Sequence, residues 1–417
     1  MRFNDLIKNS VSSLTTHKSR SALTVLGIVI GITAIIVIVS VGSSAEGLIR
    51  GEIQSFGPEN VFINPGNPSD GLFSFSGQSN AVLLKSLTTD DVHRLKNKSN
   101  VPDAALVNPS VNGSFSIAYE SETMTVNTIG TGAAAFDIYN LSAANGRLFT
   151  EEEVDSKAAV VVLGKNVVKE LFGSEDANPL GERVKIKGKS FKVIGVFSFI
   201  GSNMWGIDDM AMIPYTTAQE YLLGIRHFHE IAVQARDVSA VPDMVKDIKI
   251  ILRDNHDVKE GEGDDFIVST QEDMIETIDG ILKAITVFLA FVAAISLLVG
   301  GVGVMNIMFV SVTERTREIG LRKSLGATNK NILSQFLLEA VLLTGGGGIA
   351  GAFMGTLITY AITIVASLAL GTNFPFVFSL FGFFLGLLVS SAVGIFFGIF
   401  PAYRASKKSP MEALRYE

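Results

Sequence analysis

"SVTERTREIGLRKSLGAT", Ser311 to Thr328, is a knot of both charge signs between two of the most apolar stretches in the chain. Residues 284–313 before it contain no Asp, Glu, Lys or Arg, and neither do residues 340–403 after Glu339. A span needs roughly 20 apolar residues to cross about 30 Å of hydrocarbon. The charged stretch therefore reads as a short loop between spans, and it orders the rest of the chain.

Working outward, 280–312 reads as the end of a stalk and a second span, and 313–339 as the loop. The run after it is too long for one helix, and "GTNFP" (Gly371–Pro375) divides it into spans at 340–370 and 376–402. Upstream, the charge-free stretch 21–45 reads as the first span. Its apolar run is longer than the core of a cleaved signal peptide, and its flank is basic, so it reads as a retained anchor. Of 417 residues, 47% are hydrophobic and 18% charged, and the excess sits in these four blocks.

Charge orients the spans. The amphipathic segment 1–20 carries +3, the loop 313–339 +2 and the tail 403–417 +2, whereas 46–279 carries −15 within a total of −7. Basic short loops stay in the cytoplasm. Both termini are expected in the cytoplasm and 46–279 outside, with the chain in the cytoplasmic (inner) membrane. No nucleic-acid partner is expected. There is no cysteine, so an outer domain must hold together by packing alone.

The stretch 46–279 is long enough for its own core and mixes strand and helix patterns. "ENVFINPG" (59–66) alternates and stops at Pro-Gly. "GSFSIAYESETMTVNTIG" (113–130) reads as two strands around Ser121-Glu122, and "ERVKIKGKSFKVIGVF" (182–197) as a hairpin turning at Gly188. Thr150 with Glu153 forms a capping box. "VPDMVKDIKIILRDNH" (241–256) has helical spacing in Val245, Ile248 and Leu252. The expected fold is an α-helical membrane protein with four transmembrane helices and a large α+β extracytoplasmic domain inserted between helices 1 and 2. Residues 64–80, rich in Gly, Ser, Asn and Pro, read as a mobile loop.

Few residues invite a chemical reading. His227 and His229 in "RHFHE" share a strand face, a spacing metals use, but no third ligand is evident. Asp264 and Asp265 in "GEGDD" lack the ordered ligands of a calcium loop and read as a solvated turn. Trp205, the only tryptophan, lies in a Gly/Ser/Asn loop and reads either as a partner contact or as a ring tucked back on its own domain. There is no G-x-S-x-G and no GxxxxGK[ST]. The glycine runs at 27–31, 300–303 and 345–351 lie inside spans, where glycine lets helices approach closely. No catalytic residue, metal site or cofactor is expected on this chain.

The charged segment can extend a helix out of the second span. Glu314 with Arg317, Arg315 with Glu318 and Glu318 with Arg322 are spaced to pair, each worth about 0.2–0.5 kcal/mol. Gly320 and Gly326 would bracket a short piece carrying Leu321 and Leu325, exposed leucines suited to docking. A charge-reversed Arg315 or Glu318 is expected to uncouple whatever drives this loop.

"NIMFVSVTERTREIGLRKSLGAT" (306–328) resembles the segment after the second span in MacB-type ABC transporter permeases, a MacB/FtsX-like group. So do "SRSALTVLGIVIGI" (19–32) and "FGIFPAYRASKKSPMEALRYE" (397–417). In the outer domain "VVVLGKNVVKELFG" (160–173), "NPLGERVKIKGKSFKVIGVF" (178–197) and "MIPYTTAQ" (212–219) follow the family's order. The resemblance covers essentially the whole chain. It implies a homodimer, an outer domain of two subdomains with one inserted at roughly 115–210, and contact of Thr313, Glu314, Arg315, Thr316, Arg317, Glu318, Ile319 and Gly320 with an ABC-type ATPase.

With about twenty residues before the first span, that ATPase is expected as a separate subunit, carrying the ATP and Mg. A membrane-fusion adaptor and membrane lipids are further partners the resemblance implies. The expected function is mechanotransmission: ATP hydrolysis by the partner moves the outer domains and exports an amphiphilic substrate such as an antibiotic, peptide or lipid. The alternatives are a lipoprotein-releasing permease and an FtsX-like, non-transporting regulator of a cell-wall hydrolase.

Overall fold

The computed structural model describes residues 18–55, 57–67, 85–174, 177–199, 206–259, 261–370 and 374–414. Described residues fall into two compact units, one within Met1–Leu48, Ile281–Ala369 and Phe374–Glu417, the other within Ile49–Gly280.

The second unit is built on a sheet of strands β1 (Asn60–Pro65), β2 (Ala104–Tyr119), β3 (Glu122–Thr131), β4 (Leu141–Gly146), β5 (Val160–Gly164), β6 (Arg183–Ile186), β7 (Lys189–Phe199), β8 (Met210–Pro214), β9 (Glu230–Ala235) and β10 (Phe266–Thr270). Their order is β10-β1-β9-β2-β3-β8-β5-β7-β4, with β6 on β2 and β7. Alternation is visible in β6, where Val184 and Ile186 are buried and Arg183 and Lys185 exposed, as a half-buried strand requires. Glu120 (φ 50) makes the β2–β3 turn, and Lys187 and Gly188 (φ 48 and 78) make the β6–β7 turn, the positive-φ pair a tight hairpin needs.

Strand β2 changes partner along its length. Ala104–Ser110 pairs with β9, and Ser110–Tyr119 pairs with β3. The part resembling an inserted subdomain thus shares this strand, and one apolar core, from Val61 to Val193 and Phe266, runs beneath both halves. The Thr150 capping box forms, with Thr150 N donating to Glu153 Oε2 at 3.1 Å. Helix Val241–Asn255 buries Val241, Met244, Ile248 and Leu252.

Two sequence readings change here. Asp264 and Asp265 are more than a solvated turn: Arg253 Nη1 lies 2.5 Å from Asp264 Oδ1, and His256 Nδ1 lies 2.7 Å from Asp265 Oδ1, whose side chain stays 43% exposed. His227 and His229 precede β9 rather than lying on it; their rings sit 5.7 Å apart, and Asn112 N donates to His229 Nδ1 at 3.0 Å. Trp205 lies outside the described residues, as does most of 64–80, of which Asn64 and Pro65 belong to β1.

The same His256 donates through Nε2 to the fully buried carboxylate of Asp91 (3.1 Å), which also accepts from Asn255 Nδ2 (2.5 Å) and Thr88 N (2.7 Å). The Asp91 hydrogen bond, against an opposing cost of burial and with help from Asp265, holds the His256 pKa up at about 9. A pKa raised on folding stabilises most below the unfolded value and is lost as pH rises through the folded one. Thermal stability of this unit is therefore expected to decline between pH 6.5 and about 9. His256→Gln should flatten that decline and lower the melting temperature near neutrality, both readable by circular dichroism of the full chain. An unchanged pH profile in the variant would contradict the network.

The first unit contains α1 (Lys18–Ser55, which ends in the second unit), α2 (Gln271–Glu314, which begins in the second unit), α3 (Thr316–Ser324), α4 (Asn329–Leu370), α5 (Leu380–Lys407) and α6 (Pro410–Leu414). Four of them, α1, α2, α4 and α5, are long and apolar enough to cross a membrane. At a rise of 1.5 Å per residue the 44 residues of α2 extend roughly 66 Å, more than twice the hydrocarbon thickness. Charge-free counting placed the first span at 21–45; the helix runs ten residues further, to Ser55. The tail is not one piece either, because α5 continues to Lys407 and α6 follows.

Small residues set the helix packing. A Cβ on Gly351 would stand 2.9 Å from Ile32 Cβ, and one on Gly301 would stand 2.3 Å from the Phe397 ring. Helix backbones approach closely there because apolar burial alone gives no drive in lipid. Buried hydroxyls turn back on their own helices, as Thr359 Oγ1 does to Gly355 O (2.9 Å) and Ser390 Oγ to Leu387 O (3.0 Å). Thr33 Oγ1 of α1 instead donates across to Gly351 O of α4 (3.0 Å).

Candidate coupling site

Between α2 and α4 the chain does not continue as one helix. Arg315 takes φ −101 and ψ 14, outside the helical region, and α3 starts afresh at Thr316. The break is held by local hydrogen bonds: Thr316 Oγ1 donates to Val312 O (3.0 Å) and Thr313 O (2.9 Å), and Thr313 Oγ1 to Phe309 O (2.8 Å). At the far end Gly326 adopts φ 97, the left-handed conformation that stops a helix and favours glycine. Gly320 is not a boundary, contrary to its reading as one of two brackets; it is buried within α3.

The break redirects the charges. Arg315 was spaced to pair with Glu318, but turned out of helical register its Nη1 lies 3.3 Å from Glu339 Oε1 on α4. The Glu339 carboxylate is only 4% exposed and Arg315 22%, so the pair is largely out of water, and breaking a buried pair costs about 3–5 kcal/mol. Glu314 and Arg317 fall on opposite sides of the non-helical Arg315, so the helical spacing assumed for that pair does not hold. Arg322–Glu318 does form, at 3.7 Å; exposed, it is worth about 0.3–0.5 kcal/mol. The long-range pair outweighs the local one.

Two more contacts clamp α3. Arg322 Nη1 donates to the buried Gln335 Oε1 at 3.3 Å. Lys323 Nζ donates to Ser406 O (2.5 Å) and Lys408 O (2.8 Å) at the end of α5. A helix end leaves its last carbonyls without internal partners and carries partial negative charge, so a cation is favoured there. Ile319 and Thr316 point inward, 0% and 3% exposed. The α3 helix is thus pinned to α4 and to the end of α5.

What remains outside is a stripe. Thr313, Glu314, Arg317, Glu318, Leu321 and Leu325 are exposed, and from 317 onward their spacing follows one helical face. Leu321 is 55% exposed, Leu325 81% and Met411 of α6 84%. Of the eight residues from Thr313 to Gly320, four face out and Arg315, Thr316, Ile319 and Gly320 face the protein. Sequence reasoning missed Glu339, Gln335, Lys323 and Met411. The partners of the first three lie 13 to 85 residues away, beyond any helical pairing rule.

Comparison with known proteins identifies the family. The family described as MacB-like periplasmic core domain matches residues 21–251, and the FtsX-like permease C-terminal family matches 290–410. The macrolide export ATP-binding/permease protein MacB of Syntrophobacter fumaroxidans is 34% identical, over 100% of this chain and 64% of its own length. The protein of the same name from Bdellovibrio bacteriovorus is 35% identical over 97% of this chain and 60% of its own. The chain thus spans about 60% of the length of these relatives. Among solved structures, the periplasmic region of MacB from Actinobacillus actinomycetemcomitans shares 26% identity over 54% of this chain and 95% of that one, with a TM-score of 0.46. The extracellular domain of YknZ, a noncanonic ABC-type transporter from Gram-positive bacteria, shares 21% over 51% and 100%, with a TM-score of 0.40.

Proposed function

The chain belongs to the MacB-like and FtsX-like permease family, and from that premise we propose that it is the membrane-coupling part of an ABC transporter, driven by an ATPase that docks on α3. The carrying observation is a short helix pinned to two span ends, whose exposed face carries Arg317, Glu318 and Leu321 and is flanked by Leu325 and by Met411 of α6. Protein interfaces concentrate their energy in apolar anchors ringed by polar groups, and this face has that composition.

Force received on the stripe has short routes into the spans. Arg315–Glu339 joins the break to α4, Lys323 joins α3 to the end of α5, and α2 runs unbroken from Glu314 back to Gln271. Movement of the ATPase would thus reach the outer unit through a continuous helix. The substrate is moved outside the membrane, without a polar conduit: 284–312 and 340–403 lack Asp, Glu, Lys, Arg and His, residues that mark hydrophilic pathways through a bilayer. An amphiphilic cargo, two copies of the chain and an adaptor outside complete the reading.

The test is co-purification from membranes with the ATPase of the same organism, followed by ATP hydrolysis in nanodiscs. The pair should hydrolyse ATP faster together than the ATPase alone, and this chain should hydrolyse none. A chain that binds no such ATPase, or that activates a cell-wall hydrolase without moving cargo, would overturn the transport reading.

A further inference from the structure

The last turns of α5 carry one stripe whose chemistry changes along its length. Phe396, Phe400, Tyr403, Arg404 and Lys407 follow each other at helical spacing on the same face. Phe396 is 71% exposed, and Phe400 and Tyr403 are 49% each; Arg404 and Lys407 are exposed as well. Phe309 of α2 closes one side, its ring 5.6 Å from that of Phe400 and edge-on to it.

Arg404 is held between these rings. Its guanidinium carbon lies 4.8 Å from the Phe400 centroid and 5.5 Å from that of Phe309. Lys407 Nζ sits 4.9 Å from the Tyr403 centroid. Both distances for Arg404 and that for Lys407 fall within cation–π range. Among the described residues neither cation makes an ion pair with a carboxylate. Two cations on one face, oriented by rings and unneutralised, sit where a membrane-spanning helix leaves the hydrocarbon.

We propose that this stripe binds the phosphate of an anionic phospholipid in the leaflet at that end of the bundle, with an acyl chain against Phe396 and Phe309. Arg404 supplies the planar fork that matches two phosphate oxygens, and Lys407 adds a second positive charge. The rings hold the guanidinium in place before the lipid arrives, which lowers the ordering cost of binding. Phe309 lies six residues before the break at Arg315, so an occupied site would brace the α2–α5 pair just ahead of the coupling helix. The assignment needs only that α2 and α5 cross a membrane; it does not depend on the ATPase reading.

Native mass spectrometry of the detergent-purified full chain tests it, with phosphatidylglycerol, phosphatidylcholine or inorganic phosphate added. The expected result is saturable binding of phosphatidylglycerol that phosphatidylcholine matches at least tenfold more weakly and millimolar phosphate does not displace. Arg404→Gln with Lys407→Gln should weaken it tenfold or more. Phe400→Leu, which keeps both charges, should weaken it less, and Lys330→Gln, an exposed cation off the stripe, should leave it unchanged. Equal binding of the two lipids, displacement by free phosphate, or full binding by the double variant would overturn the proposal. Circular dichroism of each variant distinguishes loss of the site from loss of the fold.

Discussion

Replacing Leu321 and Leu325 together by aspartate is expected to weaken association with the partner ATPase at least a hundredfold while the chain inserts and folds as before. Both side chains point outward from α3 and touch little of their own molecule, 55% and 81% exposed, so their loss removes contact area only on a partner. A fully buried leucine contributes about 1.5–3 kcal/mol, and two carboxylates in a dry interface oppose binding further. A factor of one hundred corresponds to about 2.7 kcal/mol, within reach of the pair. Co-purification of ATPase with the variant, quantified against wild type at equal membrane content, is the readout. Wild-type recovery would remove α3 as the docking element. Single reversal of Glu318, whose ion pair with Arg322 is exposed, should cost far less.

The second large effect is expected at Arg315. Arg315→Glu brings two carboxylates together where one is nearly fully buried, and breaking such a pair costs about 3–5 kcal/mol. The docking stripe itself is untouched, so the ATPase should still bind. What should fall, by tenfold or more, is the stimulation of hydrolysis and the cargo movement that depend on a rigid link from α3 to α4. Exchanging the two charges, Arg315→Glu with Glu339→Arg, should recover part of the loss, since the pair rather than either residue is what joins the helices. A binding defect equal to that of the leucine variant would place Arg315 in the interface instead. The two variants thus separate docking from transmission.

Much of the membrane unit was legible because hydrophobic thickness imposes a length that no soluble element shares: charge-free runs at 284–313 and 340–403 mark spans without any knowledge of packing. Helix ends were less legible. The polar stretch "STQEDMIETIDGILKAI" (269–285) reads as part of one stiff helix through the second span, and α2 is that helix from Gln271; the first helix instead runs past its charge-free stretch to Ser55, where hydropathy cannot follow it. Hairpins were readable from their turns, because the positive-φ pair Lys187-Gly188 leaves few alternatives.

The charged loop reads as a helix extending out of the second span; the chain instead breaks at Arg315, and Glu318–Arg322 forms as spaced whereas Arg315 does not pair with Glu318. Spacing rules assume helical geometry on both sides of every residue, and Arg315 breaks it. Once the backbone turns there, its guanidinium meets a carboxylate 24 positions away. The His256–Asp91 contact, 165 positions apart, hides for the same reason: each of its residues looks like an ordinary exposed polar group until the fold buries it. Sequence periodicity encodes neighbours on one element. Contacts between elements must be seen.

If this chain carries motion from a nucleotide-driven partner to its outer unit, the outer units of two copies must move as that partner turns over. The chain has no cysteine, so a single spin label at Ser121→Cys, in the exposed β2–β3 turn, reports the separation between two copies in the assembled complex. Distances should shift when ATP is added with the ATPase present, and stay fixed with ATP alone or in the Arg315→Glu variant. Identical distance distributions with and without nucleotide in the intact wild-type complex would contradict transmission to the outer unit.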